Sequence, residues 1–163
     1  MIGRQLKIRN AVRALVVTPQ WDVLLVRFEF PSGTRWALPG GGIETDEEPE
    51  TALTRELNEE VGLTQPKIGK LIWTREHMIP LFDGKWDGQR ELIFQVEVPH
   101  RFDPTPAMTP TELKSESLQE ARWWSFQEIM SESTIVFVPR SLSLYLKQLA
   151  DDALPNTPID VGV

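Results

Sequence analysis

Between Gly41 and Leu63 the chain reads GGIETDEEPETALTRELNEEVGL, and no other segment constrains the fold and the chemistry as much. Glu56, Glu59 and Glu60 stand at i, i+3 and i+4. At about 100° per residue, a helix gathers them within an arc of roughly 100°. Leu53, Leu57 and Val61 fall on a neighbouring arc, an apolar stripe able to dock on a sheet. One helix would thus bury its aliphatic side chains and hold three carboxylates together. Two carboxylates about 6 Å apart, at an effective dielectric of about 20, repel by roughly 3 kcal/mol. Full exposure lowers that to about 0.2–0.5 kcal/mol. Arg55, four residues before Glu59, offsets part of the repulsion, and a cation would offset more. Magnesium takes oxygen ligands, keeps several waters and sits between one or two carboxylates and substrate phosphates.

Both ends of the helix are marked. Pro49 suits the first turn, where a missing N–H costs nothing. Glu47, Glu48 and Glu50 place negative charge at the positive end of the dipole. Gly62 suits the left-handed position that stops a helix. Upstream, Pro39-Gly40-Gly41-Gly42 lets backbone approach a ligand with no Cβ in the way. A solvated acidic helix with a glycine stop would explain any one of these glutamates alone. The whole pattern points to a hard divalent cation beside a phosphate chain.

The segment resembles the Nudix box of the Nudix hydrolases, the family that includes the MutT-like pyrophosphohydrolases. Gly41, Glu47, Arg55, Glu56, Leu57, Glu59, Glu60, Gly62 and Leu63 match its nine defining positions. Features from about residue 10 to residue 150 are similar too, less specifically: Trp36-Ala37-Leu38-Pro39, and Glu120-Ala121-Arg122-Trp123-Trp124 before a short helix. Asp46 and Glu48 depart from the pattern. They stand where such proteins often have a glycine and a small capping residue, and no metal ligand is affected.

The resemblance implies an α/β fold, a Nudix-type α/β/α sandwich around a mixed β-sheet with the box as a loop–helix–loop. It implies that Glu56, Glu59 and Glu60 hold Mg²⁺, with Mn²⁺ as a substitute, helped by the backbone carbonyl of Gly40. One of these glutamates could instead orient the water. Arg55 would pin the glutamates, and Glu47 would order the loop through Arg55. In this family the general base is sometimes supplied from a late loop. Glu112, Glu116 and Glu120 are the candidates here, and Glu116 is favoured because it ends the loop. The catalytic set is then Arg55, Glu56, Glu59 and Glu116. Hydrolysis of a diphosphate needs charge neutralised on phosphate oxygens and a water made nucleophilic, which bound divalent ions supply. The implied substrate is a nucleoside diphosphate linked to another moiety: a nucleoside triphosphate, a nucleotide sugar such as ADP-ribose, or a dinucleoside polyphosphate. A non-catalytic nucleotide-sensing module of the same fold is the alternative, although such modules usually lose box glutamates. A plain cation-binding domain leaves the glycine turn unexplained.

At 163 residues the chain is long enough for one full core. We expect a single domain over residues 1–150 and a flexible tail over 151–163. The chain has no cysteine, which rules out disulfides, thiolate metal sites and a cysteine nucleophile. Its net charge of −7 argues against duplex nucleic acid, which wants a basic face. It does not argue against a nucleotide bound through a cation. The first twenty residues hold Arg4, Lys7, Arg9 and Arg13 and no sustained apolar run. The expectation is therefore a cytoplasmic protein with no membrane partner. The resemblance suggests a homodimer as the assembly.

Strand patterns cover residues 11–18, 23–28, 36–38, 67–79, 91–98 and 122–124. Residues 83–88 read as a turn. Residues 103–117 hold three prolines and no core pattern, and read as a long mobile loop. Ser125 with Glu128 makes a capping box for a short helix, and a last helix follows Pro139. Arg13 and Arg27 could reach phosphates from the sheet; a surface salt bridge is the plain alternative. Trp36, Trp123 and Trp124 could stack a base, but core packing is the simpler role. His77 reads as structural and His100 as exposed. Specificity is expected from loops 30–35, 82–90 and 103–117, which hold no recognisable code.

Overall fold

Alternation along the first strand sets the architecture. Val12, Ala14 and Val16 are buried in one apolar cluster, and Leu15 and Val17 in another on the opposite face. The structure, a computed structural model, describes residues 3–81, 84–152 and 154–163. They form β1 (Ile8–Val17), β2 (Val23–Phe30), β3 (Gly33–Ala37), β4 (Gly40–Gly42), α1 (Pro49–Val61), β5 (Ile68–His77), β6 (Gly88–Glu97), α2 (Pro110–Ser115), β7 (Leu118–Trp124), α3 (Phe126–Ser131), β8 (Phe137–Val138), α4 (Leu142–Asp151) and β9 (Ile159–Asp160). Of the expected turn at 83–88, Asp83 lies outside the described residues, as do Phe82 of the same loop and Ala153 of the tail.

The sheet runs β8-β3-β2-β1-β6-β5-β9, with β4 also on β1 and β7 also on β2. β1 pairs with β6 in parallel from Ile8↔Gly88 to Val17↔Glu97, while β1 and β2, β2 and β3, and β5 and β6 are antiparallel. Helix α1 covers one face through Ala52, Leu53, Leu57 and Val61. Helices α3 and α4 cover the other through Ile129, Leu142, Leu146 and Leu149. This is the mixed-sheet α/β/α sandwich that the resemblance implied. Trp36 and Trp124 are core residues with rings 5.2 Å apart, edge to face, and Trp123 belongs to the α1-side cluster. Among the described residues no helix is long and apolar enough to cross a membrane.

Helix α1 has the expected bounds. Pro49 lies in its first turn, and Gly62 closes it at φ +72°, with Gly62 N–H donating to Asn58 O and Leu63 N–H to Leu57 O. Its end is covered by the segment expected to be a mobile loop. Thr105, Ala107 and Met108 donate backbone N–H groups to the carbonyls of Val61, Asn58 and Glu59. These acceptors are helix-end carbonyls that need partners from outside the helix, so residues 105–108 are docked. The segment also contains α2, begun by a reciprocal capping box between Thr109 and Glu112, with Pro110 in the first turn. That signature is present in the sequence and outweighs the proline count that reads as loop.

Within the segment expected to be a tail, the last described residues meet the sheet. Ile159 and Asp160 pair in parallel with Trp73 and Thr74 of β5, and Val161 is buried in the α4-side core. A short apolar residue near the terminus ties the segment down.

Asp46, the departure noted above, has φ +62°. It occupies the left-handed conformation that glycine takes without cost and that Asp tolerates better than most residues. Asp46→Gly should raise the unfolding free energy by about 0.5–1 kcal/mol in urea denaturation. A loss of stability would mean that the Asp46 side chain holds the turn.

Candidate active site

The glycine turn and α1 both pack against β1 and against each other. β4 pairs antiparallel with β1 at Ala11↔Gly42, Val12↔Gly41 and Arg13↔Gly40, which holds the turn flat against the sheet. Helix α1 packs on the same face, so the carboxylate of Glu56 comes up against Gly41. A Cβ on Gly41 would lie 2.5 Å from Glu56 Oε1, so any larger residue would displace the glutamate. Glu60 lies deeper and is only 4% exposed, with Oε2 lacking a hydrogen-bond partner. Burial pushes the Glu60 carboxyl well above the usual carboxylate range; Arg13 opposes the shift and Glu56 adds to it. Burial raises Glu56 as well, against the pull of Arg55. The fold therefore brings two acidic groups together where their charges are poorly solvated.

Arg55 organises the rim. It forks onto Glu47, Nε to Oε2 at 3.0 Å and Nη2 to Oε1 at 2.9 Å, and Nη2 also reaches Gly42 O at 3.1 Å. Its Nη1 donates to Glu56 Oε1 at 2.9 Å and lies 3.5 Å from Glu59 Oε2. Glu47 in turn accepts from the Glu44 N–H. These bonds hold Glu47 below its ordinary range, with Arg55 the main cause. One guanidinium thus clips the loop after the glycines to the helix that presents the glutamates. The sequence spacing allows this geometry, and Arg55, Glu47, Glu56 and Glu59 take it up in the structure.

Among the described residues no group of three acidic, imidazole or thiol side chains is placed to hold a metal ion, so Glu56, Glu59 and Glu60 do not meet as a ready-made three-carboxylate site. The donor set is the buried Glu60, whose Oε2 is orphaned, the partly buried Glu56 and the more exposed Glu59, the last two lining the cleft. This fits a magnesium-type ion, which needs one or two carboxylates and completes its shell with water and phosphate. The Gly40 carbonyl accepts from Arg13 Nη1 at 2.8 Å, which leaves one of its two lone pairs for a cation.

In front of these groups lies a cleft of about 790 Å³. Its lining includes Gly41, Arg55, Glu56, Glu59 and Glu116 of the expected set, while Gly40 and Glu60 lie behind it. Glu116 caps the end of α2 and shares a field with Arg9 and Glu60. Glu112 lines the cleft too, but its carboxylate accepts from Thr109 Oγ1 and N–H in the capping box. Glu120 lies elsewhere, paired with Arg27 at 3.0 Å. Arg27 also pairs with Glu29 at 2.9 Å and does not line the cleft, so the plain reading of a surface salt bridge describes it. Arg13 sits beneath the turn, not in the lining, and so reaches the site through Gly40.

Beneath the site a buried polar cluster spans three strands. Glu91 Oε1 accepts from Arg13 Nε at 3.4 Å, Arg75 Nη1 at 3.1 Å and Gln89 Nε2 at 3.0 Å. Burial alone would raise the Glu91 carboxyl, but Arg13 and Arg75 outweigh it and hold it below its ordinary range. His77 joins the cluster through β5, and its pKa is lowered by burial first and Arg75 second. Arg9, bonded to Gln89 Oε1 at 2.8 Å, lies over Gly42 and lines the cleft. The sequence offers no motif for Arg9 or Glu91; the parallel β1–β6 register, with Arg9 opposite Gln89 and Ala11 opposite Glu91, brings them together.

The NUDIX domain family model matches residues 7–144. The chain belongs to the Nudix family. Its Nudix box is the β4–α1 unit just described. The chain is similar to an RNA pyrophosphohydrolase of Pseudomonas putida, 58% identical over 40 residues, which are 24% of this chain and 25% of that protein. An RNA pyrophosphohydrolase of Vibrio cholerae is 44% identical over 64 residues, 37% of each chain. The first of these matches spans about a quarter of the relative's length. The crystal structure of a MutT protein from Methanosarcina mazei Go1 aligns with a TM-score of 0.70 at 18% identity, covering 92% of this chain and 100% of that one. At that identity the likeness shows a shared fold.

Proposed function

We propose that this Nudix chain is a divalent-metal-dependent hydrolase. Its substrate would be a nucleoside diphosphate linked to another moiety, as in a nucleoside triphosphate, a nucleotide sugar such as ADP-ribose or a dinucleoside polyphosphate. The observation that carries this reading is the pair Glu56 and Glu60: Glu56, partly buried, is pressed against Gly41 and lines a cleft with basic side chains, and Glu60, buried behind that lining, keeps an orphaned oxygen. Two poorly solvated carboxylates are costly unless a cation joins them. Glu56, Glu59 and Glu60 are the residues that would hold Mg²⁺ or Mn²⁺, with the Gly40 carbonyl. When bound, the cation supplies charge neutralisation on phosphate oxygens and lowers the pKa of a coordinated water.

The chain's own residues do the rest. Arg9 and Lys85 line the cleft and bring positive charge to the phosphates. Arg55 keeps Glu56 in place through Glu47 and Gly42. Glu116, which lines the same cleft, takes the proton of the attacking water as base. The water oxygen bonds to phosphorus, the bridging P–O bond breaks, and the leaving phosphate departs with that electron pair.

A hydrolysis screen tests this reading. The panel is nucleoside triphosphates, 8-oxo-dGTP, ADP-ribose, NADH, nucleotide sugars, diadenosine polyphosphates and 5′-triphosphorylated RNA, with Mg²⁺ and then Mn²⁺. Turnover of one class, reduced about 10²-fold or more in Glu59→Gln, is the expected result. Nucleotide binding without turnover of any class would favour a sensing module instead.

A further inference from the structure

The chain has six tryptophans. Trp36, Trp73 and Trp124 are buried in the α4-side core, Trp123 in the α1-side core, and Trp21 packs against the α4-side cluster. Trp86 belongs to neither cluster, is only partly buried and lines the active-site cleft. A large aromatic side chain left out of the core and directed to a polar cleft loses hydrophobic stabilisation that each of the others gains.

Its backbone is nevertheless fixed. Trp86 and Leu81 form an isolated antiparallel bridge, with N–H···O distances of 3.0 and 3.3 Å. Asp87, the next residue, donates its N–H to Lys7 O at 2.7 Å, and its carboxylate accepts from Arg4 and from the Lys7 N–H. The indole is therefore presented by a tethered segment. The cleft lining around it is mixed. Ile8, Ile43 and Met108 are apolar, while the glutamates, Arg9 and Arg55 gather polar groups in the same cleft. Lys85 Nζ lies 5.8 Å from the indole centroid, at the outer range of a cation–π contact. A cleft of about 790 Å³ is large enough for a whole nucleotide.

We propose that Trp86 is the platform on which the nucleobase of the substrate stacks, with Ile8, Ile43 and Met108 completing an apolar base pocket. The diphosphate then lies toward Arg9 and the Nudix-box glutamates. The inference rests on the hydrolase reading for the position of the diphosphate and adds the recognition element for the base. Stacking on an indole accepts every base, so this platform selects for the presence of a nucleobase and leaves the choice among bases to other contacts.

Calorimetric binding separates this proposal from the hydrolase reading, because it needs no turnover. ADP, GDP, CDP, UDP and inorganic pyrophosphate are titrated with Mg²⁺ into the full chain and into Trp86→Ala and Trp86→Phe. The expected result is that at least one nucleoside diphosphate binds more tightly than pyrophosphate. Trp86→Ala should weaken it about tenfold, Trp86→Phe should retain most of the affinity, and pyrophosphate should be unchanged within about twofold. Equal weakening of nucleotide and pyrophosphate would reveal a merely structural role and overturn the proposal. So would unchanged nucleotide affinity in Trp86→Ala, or no nucleoside diphosphate binding better than pyrophosphate. Loss of turnover in Glu59→Gln with Trp86-dependent binding intact bears on the hydrolase reading alone.

Discussion

Glu60→Gln should give a protein about 10²–10³-fold slower in hydrolysis and yet more stable than the parent when metal is withheld. The reason is the burial of Glu60 beside Glu56 and the orphaned Oε2. A group held above its ordinary value of 4.5 binds its proton more tightly in the folded chain than in the unfolded one. Its stabilising contribution is complete below that ordinary value and is lost as pH rises through the elevated folded value. In EDTA, the melting temperature of the parent chain should therefore fall from mildly acid to neutral pH. Glu60→Gln should remove much of that slope, and Mg²⁺ should restore stability to the parent while doing little for the variant. Parallel pH profiles for the two proteins in EDTA would show that the buried carboxylate is not the source of the strain. The opposition between stability and activity is the pattern expected where a fold holds like charges together for a ligand.

Glu91→Ala should act in the opposite sense and cost about 3–5 kcal/mol of unfolding free energy. Glu91 is 3% exposed and accepts from Arg13, Arg75 and Gln89 at once. Its removal leaves two guanidiniums with little solvent and no carboxylate between them, a loss of the same order as much of a small domain's stability. Arg13 also holds the Gly40 carbonyl, so the glycine turn should loosen and activity should fall in step with stability. Because Glu91 is held below its ordinary value of 4.5, its contribution is present above that value and is lost as pH falls through the depressed one. The parent should thus have an acid limb below about pH 4.5 that Glu91→Ala flattens. Urea denaturation at pH 7 and pH 3.5 measures both effects. A cost under about 1 kcal/mol at pH 7 would mean that Arg13 and Arg75 find water instead.

The sequence made the Nudix box legible and left the rest of the cleft hidden. Helical spacing placed Glu56, Glu59 and Glu60 on one helix, and Gly62 marked its end, because both signals are local and periodic. The Arg55–Glu47 clip was reachable through the family resemblance, since both residues lie within one short segment. Arg9 and Glu91 were not, because the parallel β1–β6 pairing joins positions about eighty residues apart. Trp86 was hidden for a related reason. One tryptophan in a turn-rich stretch looks like any other until four of the remaining five are seen in the core and Trp21 packed against it. The Thr109–Glu112 box was readable and was masked by the neighbouring prolines. The docking of residues 105–108 onto the end of α1 follows from carbonyls that only a tertiary neighbour can satisfy. Arg27 shows the converse: a basic strand residue finds its partners, Glu29 and Glu120, on neighbouring strand positions and never reaches the cleft.

The claim that Glu56 and Glu60 form a cation site is tested most directly by Mn²⁺ binding, read by electron paramagnetic resonance. The parent chain, Glu56→Gln and Glu60→Gln are titrated with Mn²⁺ in the presence of a non-hydrolysable nucleoside diphosphate analogue. We expect saturable binding to the parent and a loss of about tenfold or more in affinity in each variant. Equal Mn²⁺ affinity in all three proteins would contradict the account.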